Sequence, residues 1–230
     1  SYAPNKACYI PLAHKNCKNL KKEIVLKKIK NILEDPSIKK GGQNIKFDSI
    51  VLQQSGIKLN VIEDTMLISY TLDAGNNRHN LDLLSEIHLN HKTISYKEIV
   101  GSGKKKLNFS DIELDKATEY AAEDADVTLR LYNNFKSRID DEKLNKIYEL
   151  FEKPLVNILS KMELNGIKVD DLYLKKLSKK FNVRLKDIEK SIYKIANKDF
   201  NIASPKQLGE IIYNDLKIAK LKKTKKGSLA

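Results

Sequence analysis

The chain has 230 residues, 41% of them hydrophobic, and a net charge of +13, which allows one good core and part of a second domain. No apolar run approaches the roughly 18 residues needed to span a bilayer and no signal peptide stands at the N-terminus, so a soluble, cytoplasmic protein with no membrane partner is expected. Cys8 and Cys17 are expected as free thiols, since nothing else points to an oxidising compartment.

The charge is uneven. Residues 161 to 230 carry 18 Lys and Arg against 8 Asp and Glu, or +10, which leaves +3 for residues 1 to 160. The basic C-terminal part is the candidate footprint for a phosphate backbone. A lysine-rich composition spread over solvated helices is the alternative.

In chain order, Cys8 to Leu12 reads as a short strand edged by Pro11. Leu20 to Leu33 repeats apolar residues near helical period until Asp35-Pro36 closes it, an ordinary packing helix. Ile38, the pair Gly41-Gly42 and the run Ile45, Phe47, Ile50, Val51 and Leu52 predict a short strand, a tight turn and a helix. Asp48 then falls about one turn into that helix, at a sheet end where α/β proteins commonly assemble sites. Ile57 to Ile62 is another strand candidate. Asp64 offers N-cap chemistry for a helix over Met66 to Leu72 and is read as a cap rather than a metal ligand.

A polar turn over Asp73 to Asn80 leads into a helix over Leu81 to Ile87. His88 and His91 lack the Cys, Asp or Glu cluster that would complete a zinc site and read as surface histidines. Gly103-Lys104 is no phosphate-binding loop, because Glu98 and Lys105 occupy positions that need Gly and Ser or Thr. The lysines there are expected on a mobile loop near a phosphate backbone.

A helical pattern runs from about Leu114 to Ile139. Its spacing puts the Tyr120 hydroxyl and the Asp124 carboxylate on one face, roughly 6 Å apart along the axis, with Asp126 elsewhere. A carboxylate one turn from a phenol, flanked by alanines that let a neighbour approach, suits metal binding and the positioning of an attacking water. Pro154 must break or kink the helix over Lys143 to Asn165, which marks a domain boundary near residue 145. Asn165-Gly166 reads as a helix stop and Asp170 as the next cap. Leu174, Leu177, Phe181, Leu185, Ile188, Ile192 and Ile195 form the seam of a helix paired with another helix. Ser204-Pro205-Lys206-Gln207 combines an N-cap, a first-turn proline and a capping-box glutamine.

Gly-Gln-Asn-Ile-Lys-Phe-Asp at 42–48, followed by Tyr-Ala-Ala-Glu-Asp-Ala-Asp at 120–126, resembles the second and third exonuclease motifs of the bacterial DNA polymerase I family, a group of family A polymerases. Asp64 to Tyr70, Arg78 to Leu81 and His91 to Thr93 match the same proofreading domain in order. Glu152-Lys153-Pro154-Leu155, Asn165-Gly166-Ile167 and Ser204 to Leu208 resemble the start of the polymerase domain. The resemblance covers essentially the whole chain. It implies an α/β, RNase H-like 3'-5' exonuclease domain over residues 1–145, truncated at its N-terminus, followed over residues 146–230 by a mostly helical start of the thumb.

The resemblance also implies the chemistry. Two divalent ions, Mg2+ or else Mn2+ or Zn2+, serve such sites, one activating water and one stabilising the leaving 3' oxygen. Asp124 is then a direct ligand, Asp48 holds the second ion at least partly through water, and Tyr120 orients the nucleophile. Asp48 and Asp124 are expected to converge, with Tyr120 lining the same cleft. Asn44 and Arg78 contact the single strand or its terminal phosphate. Phe109 stacks on a base of the frayed primer end, with a buried core role as the alternative. Lys217, Lys220, Lys222, Lys223, Lys225 and Lys226 fall where the thumb tip meets duplex DNA. The partners implied are a single-stranded 3' end and a primer-template duplex, for a monomeric, nucleoid-associated protein.

The family's first motif, an Asp-x-Glu after an apolar strand, is absent. Asp111-Ile112-Glu113 and Asp140-Asp141-Glu142 have the spacing but no preceding buried strand. A fragment that starts downstream of that motif, and ends before the palm and fingers, is therefore expected. Its metals would be weakly bound or absent, and alone it would have neither polymerase nor full exonuclease activity. Two alternatives stay open: a catalytically silent scaffold domain of a polymerase, opposed by the joint presence of Asp48, Tyr120 and Asp124, and a related RNA-trimming 3'-5' exonuclease, opposed by the thumb-like tail.

Overall fold

The computed structural model describes residues 1–60, 62–103 and 106–218. Two compact units divide after Gly166. In the first, α1 (Lys22–Glu34), β1 (Lys40–Gly42), α2 (Ile45–Gln54), β2 (Ile62–Asp64), α3 (Thr65–Asp73), α4 (Leu81–Leu89), α5 (Tyr96–Val100), α6 (Leu114–Asp141) and α7 (Asn145–Ile147) follow in order. A π-helical turn over Tyr148–Glu152 then leads directly into α8 (Lys153–Asn165).

Among the described residues the sheet is a parallel pair, β1 with β2, with Gly42 opposite Asp64. Both strands therefore deliver their carboxyl ends to one place. Gly42 lets the chain pass close to α2, since a Cβ there would meet Cγ1 of Ile45 at 3.0 Å. Asn44 turns the chain in the left-handed region, φ 61°, which Asn tolerates better than most residues. The strand expected over Ile57 to Ile62 is displaced. The segment begins its ladder only at Ile62, because Asn60 bonds instead to the end of α1, its N–H to the Leu33 carbonyl and its amide to that of Glu34. No strand forms over Cys8 to Leu12. Pro11 has no N–H to donate, its carbonyl accepts from Leu20, and the Tyr9 hydroxyl meets Nε2 of the buried His14 at 2.7 Å.

The main core lies along α6. Val127, Leu131, Phe135 and Ile139, at helical spacing, close over Ile68 of α3, Leu84 of α4 and Tyr148. A second cluster joins Ile45, Leu59, Ile62 and Val156. Val156 belongs to α8, so the chain after Pro154 still packs with the sheet end. The kink foreseen at Pro154 takes the form of the π-helical turn just before it, which eases the helix past a residue with no N–H to donate.

His88 and His91 are half-buried rather than on the surface. The ring of His88 lies edge-on to Phe135 at 4.8 Å, and that burial lowers its pKa. His91 is drawn in by Glu123, at 2.8 Å.

The second unit contains α9 (Asp171–Ala196) and α10 (Pro205–Glu210), the latter continued by a π-helical turn over Ile211–Asp215. Asp170 caps α9 by accepting from the N–H of Tyr173 at 2.8 Å. Ser204 caps α10 by accepting from Gln207, whose own side chain accepts from Asn201 rather than completing the reciprocal box. The expected seam of α9 stays open: Leu174, Phe181, Leu185 and Ile188 are all about half exposed or more.

Candidate active site and single-strand cleft

The sheet end is organised by one buried carboxylate. Asp64 is 2% exposed, and its oxygens accept from the N–H groups of Asn44 and Ile45, each at 3.0 Å, and of Met66 at 2.9 Å. It thus caps α2 and α3 together, where unpaired N–H groups and helix dipoles both favour an anion. Burial raises its pKa against those bonds. The cap expected from the sequence is present, and it serves two helices. Asp48, one turn into α2, is on the exposed side of that helix. Surrounding atoms still desolvate its carboxyl enough to raise its pKa, and Asp64 adds repulsion.

Tyr120 and Asp124 come together on α6 as their spacing requires, the phenol hydroxyl donating to the carboxylate. Desolvation first, then Asp82 and Glu123, push the Asp124 pKa up to about 6, although the bond from Tyr120 pulls it down. Burial and the neighbouring Asp124 drive the Tyr120 phenol upward. Asp126 is turned away, accepting from the N–H of Asn5 at 2.6 Å.

The acids around Asp124 are largely committed. Glu123 spends one oxygen on Nε2 of His91, at 2.8 Å, and the other on the N–H of Ile94, at 2.7 Å. One Asp82 oxygen accepts from the Thr93 hydroxyl at 2.8 Å. The acid that acts on Asp48 is Asp64, whereas those that act on Asp124 are Asp82 and Glu123. Among the described residues no group of three His, Cys, Asp or Glu side chains is placed to hold a metal ion. The described residues do not by themselves make a metal centre.

Asn44 and Arg78, 34 positions apart, meet at one cleft of about 800 Å³, which Gln43, Tyr70, His79 and Leu81 also line. Phe109 is half-buried in a group of rings. It lies edge-on to Tyr9 and Tyr120, at 6.2 and 5.9 Å, and stacks on Tyr96 at 6.3 Å. Tyr96 is 45% exposed and is the ring this group offers to solvent. Sequence reasoning passed over Tyr96, Asp82 and Glu123. The signal available for Tyr96 was Ser95 followed three residues later by Glu98, a capping box that fixes the start of α5 beside α6. Lys104, Lys105, Lys220, Lys222, Lys223, Lys225 and Lys226 lie outside the described residues.

A family model for the 3'-5' exonuclease matches residues 1–140. The chain belongs to that exonuclease family. A second model, DNA polymerase family A, matches residues 171–230. DNA polymerase I of Rhizobium leguminosarum is 42% identical over 233 residues, covering 96% of this chain and 23% of the relative. DNA polymerase I of Pseudomonas aeruginosa is 39% identical over 229 residues, covering 96% of this chain and 25% of the relative. The exonuclease chain therefore spans about a quarter of the length of these relatives. A solved structure described as the POL domain of Pol1 from M. smegmatis, complexed with DNA primer-template and dNTP, shares its fold with a TM-score of 0.64 at 23% identity. That likeness covers 93% of this chain and 34% of that one. Among the described residues no helix is long and apolar enough to cross a membrane.

Proposed function

We propose that this chain is the part of a DNA polymerase I that receives a single-stranded 3' end of DNA for proofreading in replication and repair. The observation that carries the reading is the cleft shared by Asn44 and Arg78. Arg78 is exposed and makes no ion pair among the described residues, so its guanidinium is free for a phosphate. Asn44 lines the same cleft. Tyr96, stacked on Phe109 and with Lys106 Nζ 5.6 Å from its ring centroid, brings an exposed ring and a cation together where a nucleotide could meet both. In this reading Phe109 meets the base through Tyr96, as support behind it.

The fold reading that goes with it is an RNase H-like exonuclease domain over residues 1–145 and a thumb start over residues 146–230. Asp124 and Asp48 are the carboxylates this chain offers to divalent ions, Mg2+ or else Mn2+ or Zn2+. Tyr120 holds Asp124 by its hydroxyl and stays protonated at neutral pH, so it orients by donating a hydrogen bond and does not act as a base. The polymerase reaction, a primer-template duplex at the lysine-rich tail, the monomeric state and the cytoplasmic location belong to the same reading of the whole protein.

The test is a backbone amide NMR titration with oligothymidylate. Shifts clustered at Gln43–Asn44, Met66–Tyr70 and Arg78–Leu81 support the reading. Shifts confined to α9 and the residues beyond it refute a single-strand site in the cleft.

A further inference from the structure

The two sides of the cleft are carried by segments far apart in sequence, and one buried contact joins them. Thr65, fully buried at the start of α3, places its hydroxyl 2.5 Å from Oε1 of Gln43 and 3.1 Å from the Gly42 carbonyl. The Gln43 amide in turn donates to the His79 carbonyl at 2.7 Å. A carbonyl can only accept, so the orientation of the Gln43 amide is fixed and its oxygen must face Thr65. Gln43 adjoins Asn44 and His79 adjoins Arg78, so this bridge sets the distance between the two DNA-facing residues. His79 is held again by Oγ of Ser69, at 2.9 Å, and by the edge-on ring of Tyr70, at 5.5 Å.

We propose that Thr65 is a positioning residue for the single strand, acting through Gln43 to hold Arg78 opposite Asn44. The proposal rests on the reading of the cleft given above. Thr65 itself has no surface from which to touch DNA. What its hydroxyl supplies is preorganisation, so that the cleft loses no freedom when the strand enters. Without the hydroxyl, Oε1 of Gln43 has no buried donor, the side chain is free to swing into the cleft, and the Arg78 segment is released.

The experiment measures the affinity of the whole chain for labelled oligothymidylate. Thr65→Val, which keeps the shape and removes the hydroxyl, is expected to weaken binding about three- to tenfold, and Thr65→Ser to restore it to within about twofold. In an Arg78→Ala background Thr65→Val is expected to add less than about twofold, because the group it positions is gone. Gln43→Met breaks the same bridge without disturbing buried Thr65, and keeps the test decisive if Thr65→Val folds poorly; the same loss and the same non-additivity are expected. Full additivity with Arg78→Ala, or unchanged affinity of both Thr65→Val and Gln43→Met while Arg78→Ala weakens binding, overturns the positioning role alone. Unchanged affinity of Arg78→Ala overturns the cleft reading and the proposal with it.

Discussion

Replacing Asp124 by Asn should stabilise the chain near neutral pH and not in acid. The carboxyl pKa is raised from 3.8 to about 6, first by desolvation and then by Asp82 and Glu123. A folded pKa above the unfolded one means that ionisation opposes folding. The penalty is absent below about pH 4, grows between pH 4 and 6, and is complete above that. The rise to about 6 corresponds to at most about 3 kcal/mol. Because the group is only half-buried, solvent screening reduces this to about 1–2 kcal/mol. The amide oxygen of Asn still accepts from the Tyr120 hydroxyl, so that bond is retained. Urea unfolding followed by far-UV circular dichroism, with chelator present, should show the gain at pH 8 and none at pH 4. At pH 8 the melting temperature should rise by roughly 2–8 °C. An equal gain at both pH values, or a loss at pH 8, would refute the desolvation argument.

Asp64→Asn should cost about 2 kcal/mol in the same assay, since the amide group that replaces one oxygen must face either Ile45 N–H or the N–H groups of Asn44 and Met66. Tyr148→Phe should cost about 1–3 kcal/mol. It strips the buried Asp64 N–H of its acceptor at 3.0 Å and Glu63 of a donor at 3.0 Å, which urea titration of the variant would register. With magnesium or manganese, a labelled single strand should be bound but not shortened, because Asp48 and Asp124 alone leave a two-metal site short of carboxylates. Stepwise 3' trimming abolished by Asp124→Ala would contradict this.

What the sequence made legible followed from local rules. The α6 helix, its Tyr120–Asp124 face and the Asp64 cap depend on spacing and side-chain chemistry within a turn, and they appear as expected. The strand over Cys8 to Leu12 failed because an apolar run with a proline says nothing of the partner a ladder needs. The histidines were misjudged for a similar reason. His88 and His91 are polar by type, and only tertiary contacts with Phe135 and Glu123 draw them inward. The meeting of Asn44 and Arg78 across 34 positions was implied only by the family motifs, because spacing alone says nothing of the Gln43 bridge to the His79 carbonyl that joins their segments. The same holds for Tyr96, whose place beside Phe109 and Tyr120 is set by the packing of α5 on α6.

The cleft is tested most directly by equilibrium titration of labelled oligothymidylate against the chain and an Asn44→Ala, Arg78→Ala double variant, at two salt concentrations. Loss of a charge-assisted phosphate contact and of a polar partner should weaken binding roughly tenfold or more at the lower salt. The variant should also show a shallower salt dependence, by about one counterion. Equal affinity and equal salt slope for both proteins would contradict the account, and would assign single-strand binding to residues outside the cleft.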